Sequence, residues 1–279
     1  MKTPISPFCL IPCYQSKNFA LSIFSKRTKA VIFGNIPGIT TPPALGCHIP
    51  ARAMYPAIMS YTSPSAPQLL SIDPTQLQTQ ETYKLMTGLI VPRPVALVST
   101  VDGAGVRNLA PYSFFAGVGS NPPTVLFCPS LTAPPSAPTP DHPDDRKDTL
   151  RNVEQTGEFV INIVSEAIAH PTNLSAASVP PAVDEFALAG LTPIPSEVVR
   201  APRVAESPAQ LECKLLQIVF TGQGVGAGVV VLGQIVRFHV RPDLIDNYRI
   251  DPQGLDAVGR MAGNTWATTR DRFDLVRPK

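Results

Sequence analysis

Proline sets the first limit on this chain. It occupies 32 of 279 positions, about twice its usual ~5% share. Each proline fixes φ, removes a backbone donor and pushes the preceding residue out of the helical region. With charged residues at only 16%, this disfavours long helices and favours short strands with many turns. The apolar runs agree. Residues 95–101 are β-rich and end at Asp102-Gly103, a hairpin signal. Residues 106–117 return as one partner strand, and 124–128 and 159–164 read as further strands. The two longest β runs, 211–221 and 229–240, flank a glycine-rich turn. Expected helices are short. One covers 76–87 and is stopped by Gly88; one covers 149–155 between an Asp148 N-cap and Gly157; one covers 166–176. Residues 129–145 form a Pro-rich loop, and 179–207 are Pro-broken loop and edge structure. Strands outnumber helices and follow one another as hairpins. The expectation is a mainly β fold, an antiparallel barrel or sandwich with a few short helices.

At 44% hydrophobic, the chain can bury a real core. No apolar run approaches the roughly 18 residues that span a bilayer as a helix. Cysteines 9, 13, 47, 128 and 213 are scattered and odd in number. They form neither a disulfide framework nor a C-x-x-C zinc pattern, and a reducing compartment is the default. The net charge of +2 hides an asymmetry. Lys2, Lys17, Lys26, Arg27, Lys29 and Arg52 precede the first acid, Asp73. Residues 1–72 therefore read as a basic, disordered leader and 73–279 as the folded domain, at −4. Three readings of the leader stay open: a mitochondrial transit peptide, a passive extension, and a start that really lies at Met54 or Met59. The expected location is cytoplasmic, or mitochondrial if the leader is a transit peptide. The acidic body, with no basic stripe, argues against a nucleic-acid partner.

Gly222-Gln-Gly224-Val-Gly226-Ala227 matches a dinucleotide fingerprint, but the β-branched run that follows wants to be a strand. Without a helix to hold a pyrophosphate, a hairpin turn is the better reading. His239 reads as a strand residue with a satisfied ring, and His142 as part of a solvated loop. Cys128 and Cys213 read as small core hydrophobes. A second constellation joins Ser99-Thr100, the stretch from Asn108 to Ser113, and Lys147 to Thr149. Small residues keep a strand clear for a flat ring. Lys147 and Thr149 sit at an expected helix N-terminus, where amides and dipole favour an anion. A Lys–phosphate contact contributes about 1.5–3 kcal/mol. The bland alternative makes these residues turn, cap and core.

Several pieces occur in order: Pro92-Arg-Pro-Val-Ala-Leu-Val-Ser-Thr100, Asn108-Leu-Ala-Pro-Tyr-Ser-Phe-Phe115, Asn121-Pro-Pro-Thr-Val125, Lys147-Asp-Thr-Leu-Arg-Asn152, Thr156-Gly-Glu-Phe-Val-Ile-Asn162 and Val258-Gly-Arg-Met-Ala-Gly263. Together they resemble the flavin reductase-like family of FMN-binding split barrels, over about residues 76–278. The resemblance implies a six-stranded Greek-key split β-barrel that works as a homodimer, with FMN near the subunit interface. It implies that Ser99, Thr100, Asn108, Ala110, Pro111, Tyr112 and Ser113 line FMN. Lys147, Asp148 and Thr149 would hold its phosphate end, with Arg93 and Arg260 as further contacts. It implies an NAD(P)H:flavin oxidoreductase, with NADH or NADPH as donor and free flavin, oxygen or a partner oxygenase as acceptor. A non-catalytic FMN-binding or storage protein is the alternative. Two departures stand out. The loop 129–146 is unusually Pro-rich, and Trp266 stands where a tyrosine is more usual. No metal site is expected and no catalytic side chain is assigned.

Overall fold

The computed structural model describes residues 68–132 and 144–278. Residues 1–67 of the basic leader and His142 lie outside the described residues. The first helix, α1 (Thr79–Leu89), starts where the Gln78 N–H donates to Glu81 Oε2 at 2.8 Å. Gly88 does not stop it, contrary to the expectation. The ladder runs on, with Ile90 N donating to Met86 O at 2.9 Å. Arg93 then caps the end by donating to Thr87 O and Ile90 O at 2.6 and 2.8 Å. Those bonds satisfy last-turn carbonyls and offset the ~1 kcal/mol penalty of an internal glycine.

Arg93 itself opens β1 (Arg93–Pro94), followed by β2 (Ala96–Val101), β3 (Arg107–Tyr112), β4 (Phe115–Ser120) and β5 (Pro123–Phe127). The β2–β3 turn forms as expected: Asp102 Oδ1 accepts from Ala104 N and Val106 N at 2.9 and 2.7 Å. The single partner strand expected over 106–117 is instead two strands, β3 and β4. After α2 (Asp148–Thr156) come β6 (Glu158–Ile163), α3 (Ala169–Leu174), α4 (Glu185–Ala189), β7 (Pro193–Ile194), β8 (Arg203–Val204), β9 (Ala209–Phe220) and β10 (Val229–Val240). The glycine-rich stretch before β10 is a hairpin connection, with Gly224 and Gly226 at φ +79° and +84°. The chain ends with β11 (Ile245–Asp246), β12 (Arg249–Ile250), α5 (Pro252–Leu255), β13 (Val258–Arg260) and β14 (Trp266–Thr268).

Seven of these strands form one antiparallel sheet in the order β3-β2-β6-β9-β10-β5-β4. Its two edge strands, β3 and β4, are consecutive in the chain and joined only by Ser113 and Phe114. Two linking residues reach about 10 Å at most. The sheet must therefore curl until its edges approach at that corner. A barrel split along one seam is the only way to satisfy both the pairing order and the short link. Seven strands replace the six expected, because the chain crosses that seam in the middle of an unbroken β-rich stretch.

The sheet buries both faces beside β2. Ala96, Val98, Tyr112, Phe127, Phe159 and Val231 fill the inner cluster, with the Phe127 ring 5.1 Å from Tyr112 and 5.2 Å from Phe159. Gly233 leaves room for this packing, since a Cβ there would meet Phe159 Cζ at 2.3 Å. Leu97, Leu109, Val164, Ile168 and Phe186 form the outer cluster under α3 and α4. Helix α4 lies in a stretch expected to be loop. Asp184 caps it by accepting from Phe186 N at 3.0 Å, and Gly190 ends it at φ +68°. A separate small sheet, β1-β13-β14, pairs Arg93 with Arg260 in register.

Cys213 is fully buried in the inner cluster, where burial drives its thiol pKa upward, while Cys128 is half-buried. His239 has the satisfied ring expected of it: Nε2 lies 2.6 Å from Glu212 Oε1. The Glu212 carboxylate, with no exposed surface, also accepts from the amides of Glu197, Val198 and Val199 at 2.8, 2.7 and 3.1 Å.

Candidate functional site

Alternation along a strand sends neighbouring side chains to opposite faces. Thr100 on β2 stands opposite Asn108 on β3. Both face α2, and the three elements share a buried polar network. Asn108 Nδ2 donates to Thr100 Oγ1 at 3.1 Å and to Thr149 Oγ1 at 2.9 Å. Asn152 Nδ2 donates to Thr100 Oγ1 at 3.0 Å. Thr149 and Asn152 are three apart, so one helix face carries both. Sequence reasoning singled out Thr149 and missed Asn152, although that spacing signalled it.

Ala110 and Tyr112 continue along the same face of β3, and Ala110 packs on the inner core. Tyr112 Oη is buried and meets no partner at full hydrogen-bond geometry among the described residues. Burial pushes the phenol pKa well above its usual range; nearby Thr149 eases this and the Asp148 and Glu185 carboxylates add to it. Lys147 Nζ lies 5.8 Å from the centroid of the Tyr112 ring, within cation–π range. Lys147 is exposed by surface area, yet it lies among enough protein to be partly desolvated, which lowers its pKa.

Lys147, not the expected Asp148, is the N-cap of α2, and its own side chain makes no capping bond. Asp148 lies one position inside. Its carboxylate is taken by Arg151 at 2.7 Å, and Arg151 also holds Asp144 Oδ1 at 3.2 Å. First-turn amides of a helix lack intrahelical acceptors. This end of α2 therefore brings together the positive end of a helix dipole, a lysine and a buried phenol, with the Asp148 carboxylate held by Arg151. That donor set suits an anion with a polar tail.

Other expected residues lie apart from this group. Ser99 faces away: its hydroxyl donates to Pro202 O at 2.5 Å and accepts from Asn162 Nδ2 at 3.2 Å. Pro111, opposite Leu97, alternates away from Tyr112. Arg93 is buried in bonds to α1 and to Met261 O, and it reaches Ser113 Oγ at 3.3 Å. Arg260 lines a cleft of about 650 Å³ between α3 and the β13–β14 hairpin, with its guanidinium carbon 4.9 Å from the Trp266 ring centroid. A further residue went unseen in the sequence. Glu185 of α4 is buried and accepts the Leu109 N–H of edge strand β3 at 3.0 Å, while burial raises its pKa.

The chain matches the flavin reductase like domain over residues 87–254. It belongs to the flavin reductase-like family. Among solved structures it is similar to nitrilotriacetate monooxygenase component B from Bacillus cereus. That similarity is 39% identity over 75% of this chain and 99% of that one, with a TM-score of 0.69. It is similar to the 2-nitrobenzoate 2-nitroreductase of Pseudomonas fluorescens at 30% identity, over 75% and 96% of the two chains, with a TM-score of 0.65. A split-barrel-domain protein of Shewanella frigidimarina matches at 25% identity over 73% and 96%, with a TM-score of 0.61. The curled, seamed sheet is thus the split barrel of this family, and flavin-dependent oxidoreduction is the broad activity that membership carries.

Proposed function

We propose that this protein binds FMN and acts as an NAD(P)H-dependent flavin oxidoreductase, passing electrons to free flavin, oxygen or a partner oxygenase. The observation that carries this reading is the N-terminus of α2, where the N-cap Lys147 stands over the ring of the buried Tyr112. These groups fit the phosphate end of a flavin nucleotide. When bound, the flavin supplies the hydride-accepting chemistry, so no nucleophile or strong base is required of the protein. The chain's tasks are to bind, orient and stabilise charge.

Lys147, Asp148 and Thr149, at the N-terminal end of α2, would hold the phosphate through the lysine and the helix dipole. The Thr100–Asn108–Thr149–Asn152 network keeps β2, β3 and α2 in fixed relation, so the donors need not reorganise when a ligand arrives. The small Ala110 leaves the strand face clear for a flat ring. Edge strand β3 has few outward backbone donors to offer. Outward-facing amides recur every second residue. The one at Leu109 is taken by Glu185, and Pro111 has none. Ser113 is then the next outward amide available to a flavin ring edge.

The B. cereus relative, a monooxygenase component, supports an oxygenase partner. Exposed apolar side chains on the sheet, Val118 of β4, Leu216 of β9 and Phe238 of β10, support a homodimer. Purified full-length protein is expected to be yellow with FMN, and to bleach on anaerobic mixing with NADH or NADPH in a stopped-flow instrument. A colourless protein that neither takes up FMN nor oxidises either nucleotide rejects the proposal. A yellow protein inert to both nucleotides supports the storage reading instead.

A further inference from the structure

The cleft between α3 and the β13–β14 hairpin holds Arg260, which the resemblance offered as a flavin contact, and none of its lining residues belongs to the α2 group proposed for the phosphate. Val258 and Trp266 tie its floor to the outer core cluster, on the face of β2 and β3 opposite the Thr100–Asn108 network. Its volume of about 650 Å³ lies within the ~300–1,000 Å³ usual for small-molecule sites. The lining is asymmetric. Ala169 and Ala267 are small and leave width for a ring. Trp266 is half-buried and offers an aromatic wall. Over that wall lies the Arg260 guanidinium, which donates once, to Gly263 O at 2.7 Å, and has no carboxylate partner among the described residues. His170 and Asn173, three apart on α3, face the same space. The acid on the rim, Glu166, is already bonded to Arg270, which also holds Asp256 at 3.0 Å. The cleft therefore presents an unmatched planar cation beside an aromatic face, and its acid is neutralised.

We propose that this cleft is a binding site for a small aromatic carboxylate. The carboxylate meets the Arg260 fork, for which guanidinium geometry is matched. The ring lies along Trp266, and His170 and Asn173 supply hydrogen bonds at the mouth. An aliphatic acid would forgo the ring contact. A neutral aromatic amide would forgo the ion pair.

Trp266 is the sole tryptophan of the chain, so its fluorescence reports this cleft directly. The test titrates the full-length protein with benzoate, benzamide and cyclohexanecarboxylate. It is run on flavin-stripped and flavin-loaded protein, and heat of binding is measured in parallel by calorimetry. Saturable binding of benzoate is expected, with affinity at least about tenfold above that of benzamide, the effect of one charge-assisted contact. Cyclohexanecarboxylate should bind more weakly than benzoate. Arg260→Gln should bring benzoate down to the benzamide level, and Arg260→Lys, which keeps charge but loses the fork, should fall between. Equal binding of benzoate and benzamide by the unaltered protein overturns the proposal without reliance on any variant. So does loss of benzoate binding when flavin is loaded, which would place both ligands in one site. A protein that binds no flavin at all leaves the fluorescence test intact and separates the two failures.

Discussion

Glu212 and Tyr112 are both buried polar groups on the same curled sheet, and their surroundings differ in completeness. The Glu212 carboxylate receives three consecutive backbone amides and the His239 ring. Burial works to raise its pKa, but these donors outweigh burial and hold it below the usual range. Around Tyr112 the neighbouring network of Thr100, Asn108, Thr149 and Asn152 is closed, yet the phenol oxygen meets no partner at full hydrogen-bond geometry among the described residues. A closed cluster holds a loop to a strand. A cluster left open by one buried hydroxyl and one lysine has room for something else to complete it. Unsatisfied buried groups are rare in folded proteins, so each one calls for an explanation.

The sharpest test of this contrast is Glu212→Ala. It strips four donors of their acceptor, three of them backbone amides of the 197–199 loop. The expected loss is about 3–5 kcal/mol of unfolding free energy, measured by urea denaturation, with FMN affinity per folded molecule unchanged. A large affinity loss would show that the two clusters are not separate in role. Lys147→Ala should do the reverse. Flavin affinity should weaken about 10- to 100-fold, from a charge-assisted contact of ~1.5–3 kcal/mol, while the urea midpoint moves little. Unchanged affinity would remove the phosphate role from α2.

Smaller effects come from pH. Because the folded-state pKa of Glu212 is depressed, its contribution is present above the unfolded carboxyl pKa of about 4.3 and is lost as pH falls through the folded value. Stability should therefore decline on acidification below that point, and Glu212→Gln should flatten the decline. Glu185 has the opposite sign: burial raises its pKa, so the protonated form is favoured in the fold and its effect turns stabilising as pH falls. An equally steep decline in the Glu212→Gln protein would assign acid sensitivity elsewhere. Tyr112→Phe is the mildest change. Removing a hydroxyl that meets no partner at full hydrogen-bond geometry should leave flavin-free stability unchanged or slightly higher, and weaken FMN binding by about 0.5–1.5 kcal/mol. A clear stability loss without flavin would mean that the hydroxyl already has a partner.

Much of the fold was legible because its signals are local. The Asp102-Gly103 turn, the two long runs that became β9 and β10, and Gly157 at the end of α2 are set by a few adjacent residues. What escaped depends on distant pairing. Nothing local marks the break at Ser113-Phe114, because the β-rich pattern continues through it and only the sheet order divides it. Helix α4 hid among prolines, although Asp184 and Gly190 bracket it. Strands β1 and β13 hold two and three residues, too few for a period to show. By resemblance the sequence singles out Thr100, Asn108, Tyr112, Lys147 and Thr149, which the fold gathers at α2. Ser99, adjacent to Thr100 on a strand, faces the other way, as alternation requires. The Arg93 donors serve the end of α1, which no local pattern reveals.

The two residues that join β3 to β4 have a consequence beyond the shape of the barrel. Strand edges that meet only by diffusion separate readily, but a two-residue link holds them at a high effective concentration that falls as the link lengthens. Closure of the seam is thus written into chain connectivity and does not depend on hydrogen bonds across it. Ser113, one of the two residues of that link, is also held by Arg93.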